Sequence, residues 1–328
     1  QLNYYYYGFV LGAIMVLMTG IEPATAYNLM VPLFFALTGL GAFAVTYNLV
    51  ARGGWGRSAI ERRPGWAPVL FGAVGAAFVV VAGNLGEVKL LVDGYTQISG
   101  GGVTSNIPGL SLIANILNGF MKAVSGQASL GFRQEWWYWN ASRAIPFPQG
   151  ETVPITEFPF FTFLYGDLHA HMLTLPLTLL ALAMCLNVLV REPGDWRLGA
   201  RNLGWPTVLL TWLFFGLVIG VLRPANTWDY PTYLAVGVGV FFLHAYRSYG
   251  LTLRALGEGV WRSALLVALS TVLWLPFINS FATAFTAVEP WTGSHTVWWS
   301  YLIVHGLFLF VIATFIALQA WGWWVRHD

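Results

Sequence analysis

Between Glu157 and His171 the chain reads EFPFFTFLYGDLHAH, which puts two carboxylates and two histidines at the mouth of an apolar segment. MLTLPLTLLALAMCLNVLV follows from Met172 with no charge until Arg191. That run is long enough to cross a bilayer core of roughly 30 Å at about 1.5 Å per residue. Asp167, His169 and His171 are therefore expected at one membrane surface. Ionisable groups at that depth cost on the order of several kcal/mol unless they are paired, hydrated or liganded, so they read as functional. The competing reading is a histidine that only caps a helix or bonds a neighbouring loop.

The alternation of Asp167, His169 and His171 points all three side chains the same way in an extended segment. In a helix only Asp167 and His171 share a face. Either arrangement offers a divalent metal two or three ligands, of a kind that suits Zn, Mn or Fe better than Ca. Alternatively, a carboxylate of raised pKa takes a proton from an acceptor. Asp167 and Glu157 are candidates for that role, Glu157 having the plainer alternative of a loop ion pair with Arg143.

Arg143 and Arg223 are the cations best placed to meet an anionic headgroup, because a guanidinium is always charged and grips phosphate with two donors. Interfacial snorkelling is the other reading of Arg223. In RPANTWDYP, Asn226 and Asp229 suit sugar hydroxyls and Trp228 or Tyr230 a stacking platform. Asn226 or Thr227 equally suits capping of the next helix, with Pro231 in its first turn. EWWYWNASR, from Glu135 to Arg143, reads as an interfacial anchor ahead of a sugar cleft, and Asn140-Ala141-Ser142 fits a glycosylation sequon.

The positioning elements follow from composition. Of 328 residues, 57% are hydrophobic and 9% charged, against about 25% charged in an average soluble domain. The fold class is an all-α polytopic integral membrane protein. The 17 Trp and 14 Tyr fit membrane-interface belts. Cys185 is the single cysteine, so an intramolecular disulfide is excluded. A net charge of +2 without a basic cluster argues against a nucleic-acid partner and leaves membrane lipids as the expected surroundings.

In chain order the pattern predicts an apolar helix over residues 1–26 that either crosses or lies on the surface, and two spans within 27–85, at Tyr27–Ala51 and Trp66–Leu85. A polar-aromatic loop follows over 86–160, with a link at Ser99–Asn106 and a short amphipathic helix at Leu110–Val124, and five spans over 161–328 complete a single transmembrane domain, the fourth of them running from Ser263 after a basic connection with Arg247, Arg254 and Arg262. Alternate connections hold 11 of the 16 Lys and Arg. The positive-inside rule makes that side cytoplasmic, and the alternation supports about seven spans in a cell membrane. Glu157, GDLHAH, RPANTWDYP and the loop with Glu289 and His295 then share the extracytoplasmic face.

Four separated motifs carry a resemblance. YYYYG at Tyr4–Gly8, WWYWNASRAIP, EFPFFTFLYGDLHAHM and NTWDYPTY resemble, in order, the motifs of the Chlor_Arch_YYY or DUF2298 membrane proteins of archaea and Chloroflexi. That family is grouped with the GT-C membrane glycosyltransferases, which take a sugar from a polyprenyl-phosphate donor. The resemblance implies a GT-C-like fold with extracytoplasmic surface helices, the first helix lying on the membrane without crossing it. It also implies a fragment of a longer chain, whose usual catalytic carboxylate precedes Gln1. The implied function is glycosyl transfer from a polyprenyl-phosphate sugar. The rivals are a non-catalytic subunit of a larger membrane complex, with other membrane subunits as partners, and a metal-dependent lipid-phosphate hydrolase.

Overall fold

The structure is a computed structural model describing residues 5–52, 65–102, 104–133, 136–146, 153–193, 204–281 and 290–327, with backbone alone at 52, 137, 138, 326 and 327. Glu135, Glu289, Arg57, Arg62, Arg63, Arg197 and Arg201 lie outside the described residues. No strand occurs among those described. The helices are α1 (Tyr7–Thr19), α2 (Pro23–Arg52), α3 (Ala67–Val80), α4 (Gly86–Ser99), α5 (Leu110–Val124), α6 (Trp136–Trp139) and α7 (Pro159–Tyr165). They continue as α8 (Ala170–Leu189), α9 (Trp205–Gly220), α10 (Leu222–Ala225), α11 (Asp229–Tyr249), α12 (Leu253–Val272), α13 (Leu275–Ser280) and α14 (Trp298–His327).

Four of these are long and apolar enough to cross a membrane: Pro23–Ala51, Ala170–Leu189, Trp205–Ala225 and Trp298–Val325. Between its ends a helix satisfies its backbone donors and acceptors within itself, which is what a medium without water demands. The protein is an all-α, multi-pass membrane protein. With 13 residues, α1 covers about 20 Å, too short for a core of roughly 30 Å. It stops at Gly20, whose φ of 71° supplies the left-handed C-cap. Glu22 then starts α2, its carboxylate accepting from the Thr25 amide at 2.9 Å. That bond holds the Glu22 carboxyl below its usual range.

Two expected spans differ from the sequence reading. The helix from Trp66 ends at Val80, not Leu85, leaving α3 only 14 residues long. The segment expected from Ser263 begins ten residues earlier, at Leu253, and breaks near Trp274, where Pro276 opens α13. What reads as a basic connection is thus mostly helix. Arg262 is tolerated there, 2% exposed, because Glu258 one turn earlier accepts from it at 2.9 Å.

The chain forms two compact units, Gln1–Val81 with Thr162–Val288, and Ala82–Phe161 with Glu289–Asp328. In the first, α8 is central, packing against α2, α9 and α11. Its lower part joins Phe215, Ile219, Phe241 and Leu266 in one core around Ala181 and Cys185. Its first turns place Met172 and Leu173 in a second core with Met30, Phe34, Phe163 and Leu168. In the second unit, α4 and α5 cross so closely that a Cβ on Gly119 would lie 1.9 Å from the Tyr95 carbonyl oxygen. Lys122 closes that pair by donating to the last carbonyls of α4, 3.1 Å from that of Ser99. The helix at Leu110–Val124 agrees with its sequence reading.

Candidate functional site

The GDLHAH segment is shaped by Gly166, whose φ of 72° ends α7 in a left-handed turn. The amides of Gly166 and Asp167 both return to the Thr162 carbonyl, at 3.1 and 3.2 Å. Leu168 then plugs into the core, 1% exposed. His169 stays extended before α8 begins at Ala170. With Leu168 inward, its neighbours Asp167 and His169 turn outward together. His169 Nε2 lies 2.7 Å from Asp167 Oδ2, both side chains about two-fifths exposed. The His171 ring stacks on that of His169, with centroids 5.6 Å apart and planes at 18°. The extended arrangement weighed from the sequence therefore describes Asp167 and His169, and His171 joins them from the first turn of α8.

Tyr27, near the start of α2, holds this loop from 139 residues away. Its hydroxyl donates to the Gly166 carbonyl at 3.4 Å and accepts from the Leu168 amide at 3.2 Å, bracketing Asp167. Sequence reasoning missed Tyr27; a Tyr at the start of a span, with an apolar ring and a polar tip, was the available signal.

The second motif meets the first at Thr174, 0% exposed on α8. The Thr174 hydroxyl lies 2.9 Å from Asp229 Oδ2, and Asn226 Nδ2 donates to the same oxygen at 3.0 Å. Asp229 also opens α11, where its charge suits the helix N-terminus. The capping expected of Thr227 is not made: Trp228 is the N-cap, and the Thr227 hydroxyl donates back to the Arg223 carbonyl at 2.9 Å. Arg223 lies over the Tyr230 ring at 5.7 Å, and among the described residues it makes no ion pair. Trp228 is 73% exposed.

YYYYG comes to the same place. Gly8 presses on Leu173, where a Cβ would stand 2.6 Å from a leucine methyl. The Tyr7 ring meets Trp274 edge-on at 5.0 Å. Three motifs thus gather around the first two turns of α8.

Arg143 and Glu157 belong to the second unit, where they bond each other at 3.2 Å. Arg143 also donates to the Ser142 carbonyl at 2.8 Å and covers the Trp139 ring at 4.8 Å. Among the described residues no three His, Cys, Asp or Glu side chains converge as a metal centre requires. His169 Nε2 and Asp167 Oδ2 are turned to each other.

The DUF2298 family, described as uncharacterized membrane proteins, matches residues 1–328. The chain is a member of the DUF2298 family. No curated protein and no solved structure matches it. For this DUF2298 protein, residues of three of the four motifs noted in the sequence pack together in the first unit, where α1, α8, α10 and the start of α11 meet.

Proposed function

We propose that this DUF2298 protein transfers a glycosyl group from a polyprenyl-phosphate donor at the extracytoplasmic membrane surface. The observation that carries the reading is the bond from Thr174 to Asp229 at 2.9 Å. It fixes the Arg223–Asp229 segment against the helix that Asp167 and His169 head.

With its Nε2 proton donated to Asp167, His169 has the Nδ1 lone pair left to act as a base. As an acceptor hydroxyl attacks the anomeric carbon, that nitrogen takes the hydroxyl proton, a contribution of about 10² to 10⁴ in rate. The bond from the anomeric carbon to the phosphate oxygen breaks, and polyprenyl phosphate leaves with the electron pair. Arg223, with no carboxylate on it among the described residues, binds that phosphate through two charge-assisted hydrogen bonds. Asn226 and Asp229 hold sugar hydroxyls, and the exposed Trp228 gives the ring a face to lie on. His171 steadies the His169 ring by stacking. Arg143 and Glu157 satisfy each other and take no step in this scheme.

The test is reconstitution of the protein in lipid nanodiscs with radiolabelled polyprenyl-phosphate hexoses, following release of label from the lipid to an acceptor or to water. Release is expected from the wild type and not from Arg223→Ala or His169→Ala. Absence of release, together with unaltered lipid-phosphate binding in Arg223→Ala, would leave the subunit role in its place.

A further inference from the structure

The second unit holds a groove of about 650 Å³ bounded by α4, the Trp139–Pro146 segment and the first two turns of α14. Its volume suits roughly a disaccharide, within the usual range of small-molecule sites. Leu90 and Ile303 supply apolar floor, while Asn140 and Ser300 supply uncharged donors and acceptors. The indoles of Trp139 and Trp299 form part of the wall, 42% and 76% exposed.

Charge decides what such a groove takes. Both of its cations are already matched, Lys89 by Asp93 one turn along α4 and Arg143 by Glu157. A wall whose charges cancel pairwise has little attraction for a free anion, yet it offers many hydrogen bonds of both senses. Those bonds, set beside aromatic faces, suit a ligand with hydroxyls around its edge and C–H groups on its faces.

The wall is also preorganised. The 3-10 turn Ala141–Arg143 is held by Asn84, which donates to the Ala141 carbonyl at 2.7 Å, and by Thr156, whose hydroxyl donates to the same oxygen at 2.9 Å. The Thr156 amide donates to Ser142 at 2.9 Å, and Ala144 donates to the Thr156 hydroxyl at 3.0 Å. Gly86 lets α4 start against this turn, since a Cβ there would stand 2.8 Å from the Ala141 Cα. Arg143 covers one side of Trp139 and fixes its ring. A wall set before binding spares a ligand the entropy of ordering it.

We propose that this groove binds a neutral pyranose, stacked on Trp299 and hydrogen-bonded through Asn140 and the Lys89–Asp93 pair. The site shares no residue with the one assigned to transfer and stands independently of that reading.

The experiment is saturation-transfer NMR on the full chain in nanodiscs with four neutral probes: methyl mannoside, methyl glucoside, N-acetylglucosamine and maltose. Saturation is expected on the ring C–H protons of at least one, weakened about tenfold or more by Trp299→Ala, in line with loss of an aromatic contact. Asn140→Ala weakens it too. Both side chains are exposed, so the variants keep the fold. Asp167→Asn leaves binding intact, so this site and the transfer chemistry fail separately. No transfer to any probe, transfer that survives both substitutions, or displacement of the sugar by inorganic phosphate at equal concentration overturns the proposal.

Discussion

Thr174 Oγ1 sits 2.9 Å from Asp229 Oδ2 and 2.9 Å from the His171 carbonyl oxygen, so one hydroxyl proton faces two acceptors. The carboxylate is the stronger acceptor and takes it. In this way a buried hydroxyl on α8 fastens the start of α11 and the segment that carries Arg223.

Replacing that hydroxyl by a methyl group separates fastening from packing. Thr174→Val keeps the volume and leaves Asp229 with the Asn226 bond alone. The expected loss is about 1.5–3 kcal/mol, the range for a hydrogen bond to a charged group. Thermal unfolding in nanodiscs checks it, and lipid-phosphate binding should weaken in parallel because Arg223 is no longer held.

Asp167→Asn tests the opposite combination. The Asp167 and His169 side chains are about two-fifths exposed, and exposed pairs contribute about 0–1 kcal/mol. The melting temperature should therefore hardly move while sugar transfer falls about 10² to 10⁴-fold. A large loss of stability with unchanged transfer would make the pair structural.

Glu87 gives a pH dependence whose sign can be worked out. Both of its carboxylate oxygens are buried without a hydrogen-bond partner among the described residues, and burial pushes its pKa up from 4.5 to about 7. Between those values the folded chain holds a proton that the unfolded chain has lost, so stability falls as pH rises through this window and levels off above it. Glu87→Gln should remove this dependence: its unfolding temperature should match the wild type near pH 4 and exceed it at pH 8.

Gly119→Ala should loosen α4 from α5, because the added carbon meets the Tyr95 carbonyl oxygen at 1.9 Å and backbone cannot rotate away. The expected cost is about 1–3 kcal/mol or more. Limited proteolysis would show it as faster cleavage within residues 86–133. Gly102→Ala, which meets nothing within 4 Å, is the control.

Much of this molecule is legible in one dimension. Long uncharged runs such as Met172–Val190 and Val297–Val325 declare helices that cross a membrane, because in hydrocarbon a helix is the one open segment that satisfies its own backbone. Leu110–Val124 declares itself by an apolar face. The Asp167, His169 and Asp229 motifs stand out because polar groups at that depth need a reason to be there. Arg262 misled the same logic: its charge reads as part of a connection, yet a partner one turn away lets it sit buried within a helix.

Tertiary structure alone decided which groups meet. Tyr27 and Leu168 are 141 residues apart, and Thr174 and Asp229 are 55 apart; nothing in local spacing links either pair. Periodicity fixes the face a side chain occupies, whereas its partner depends on how helices cross, and close contacts such as Gly8 on Leu173 set that. The sequence by itself therefore determined an all-helical membrane protein of the DUF2298 type and which polar motifs stand out along the chain. Packing around the first turns of α8 determined that Asp167 pairs with His169 and Asp229 with Thr174, while within the second unit the chain folds Glu157 onto Arg143.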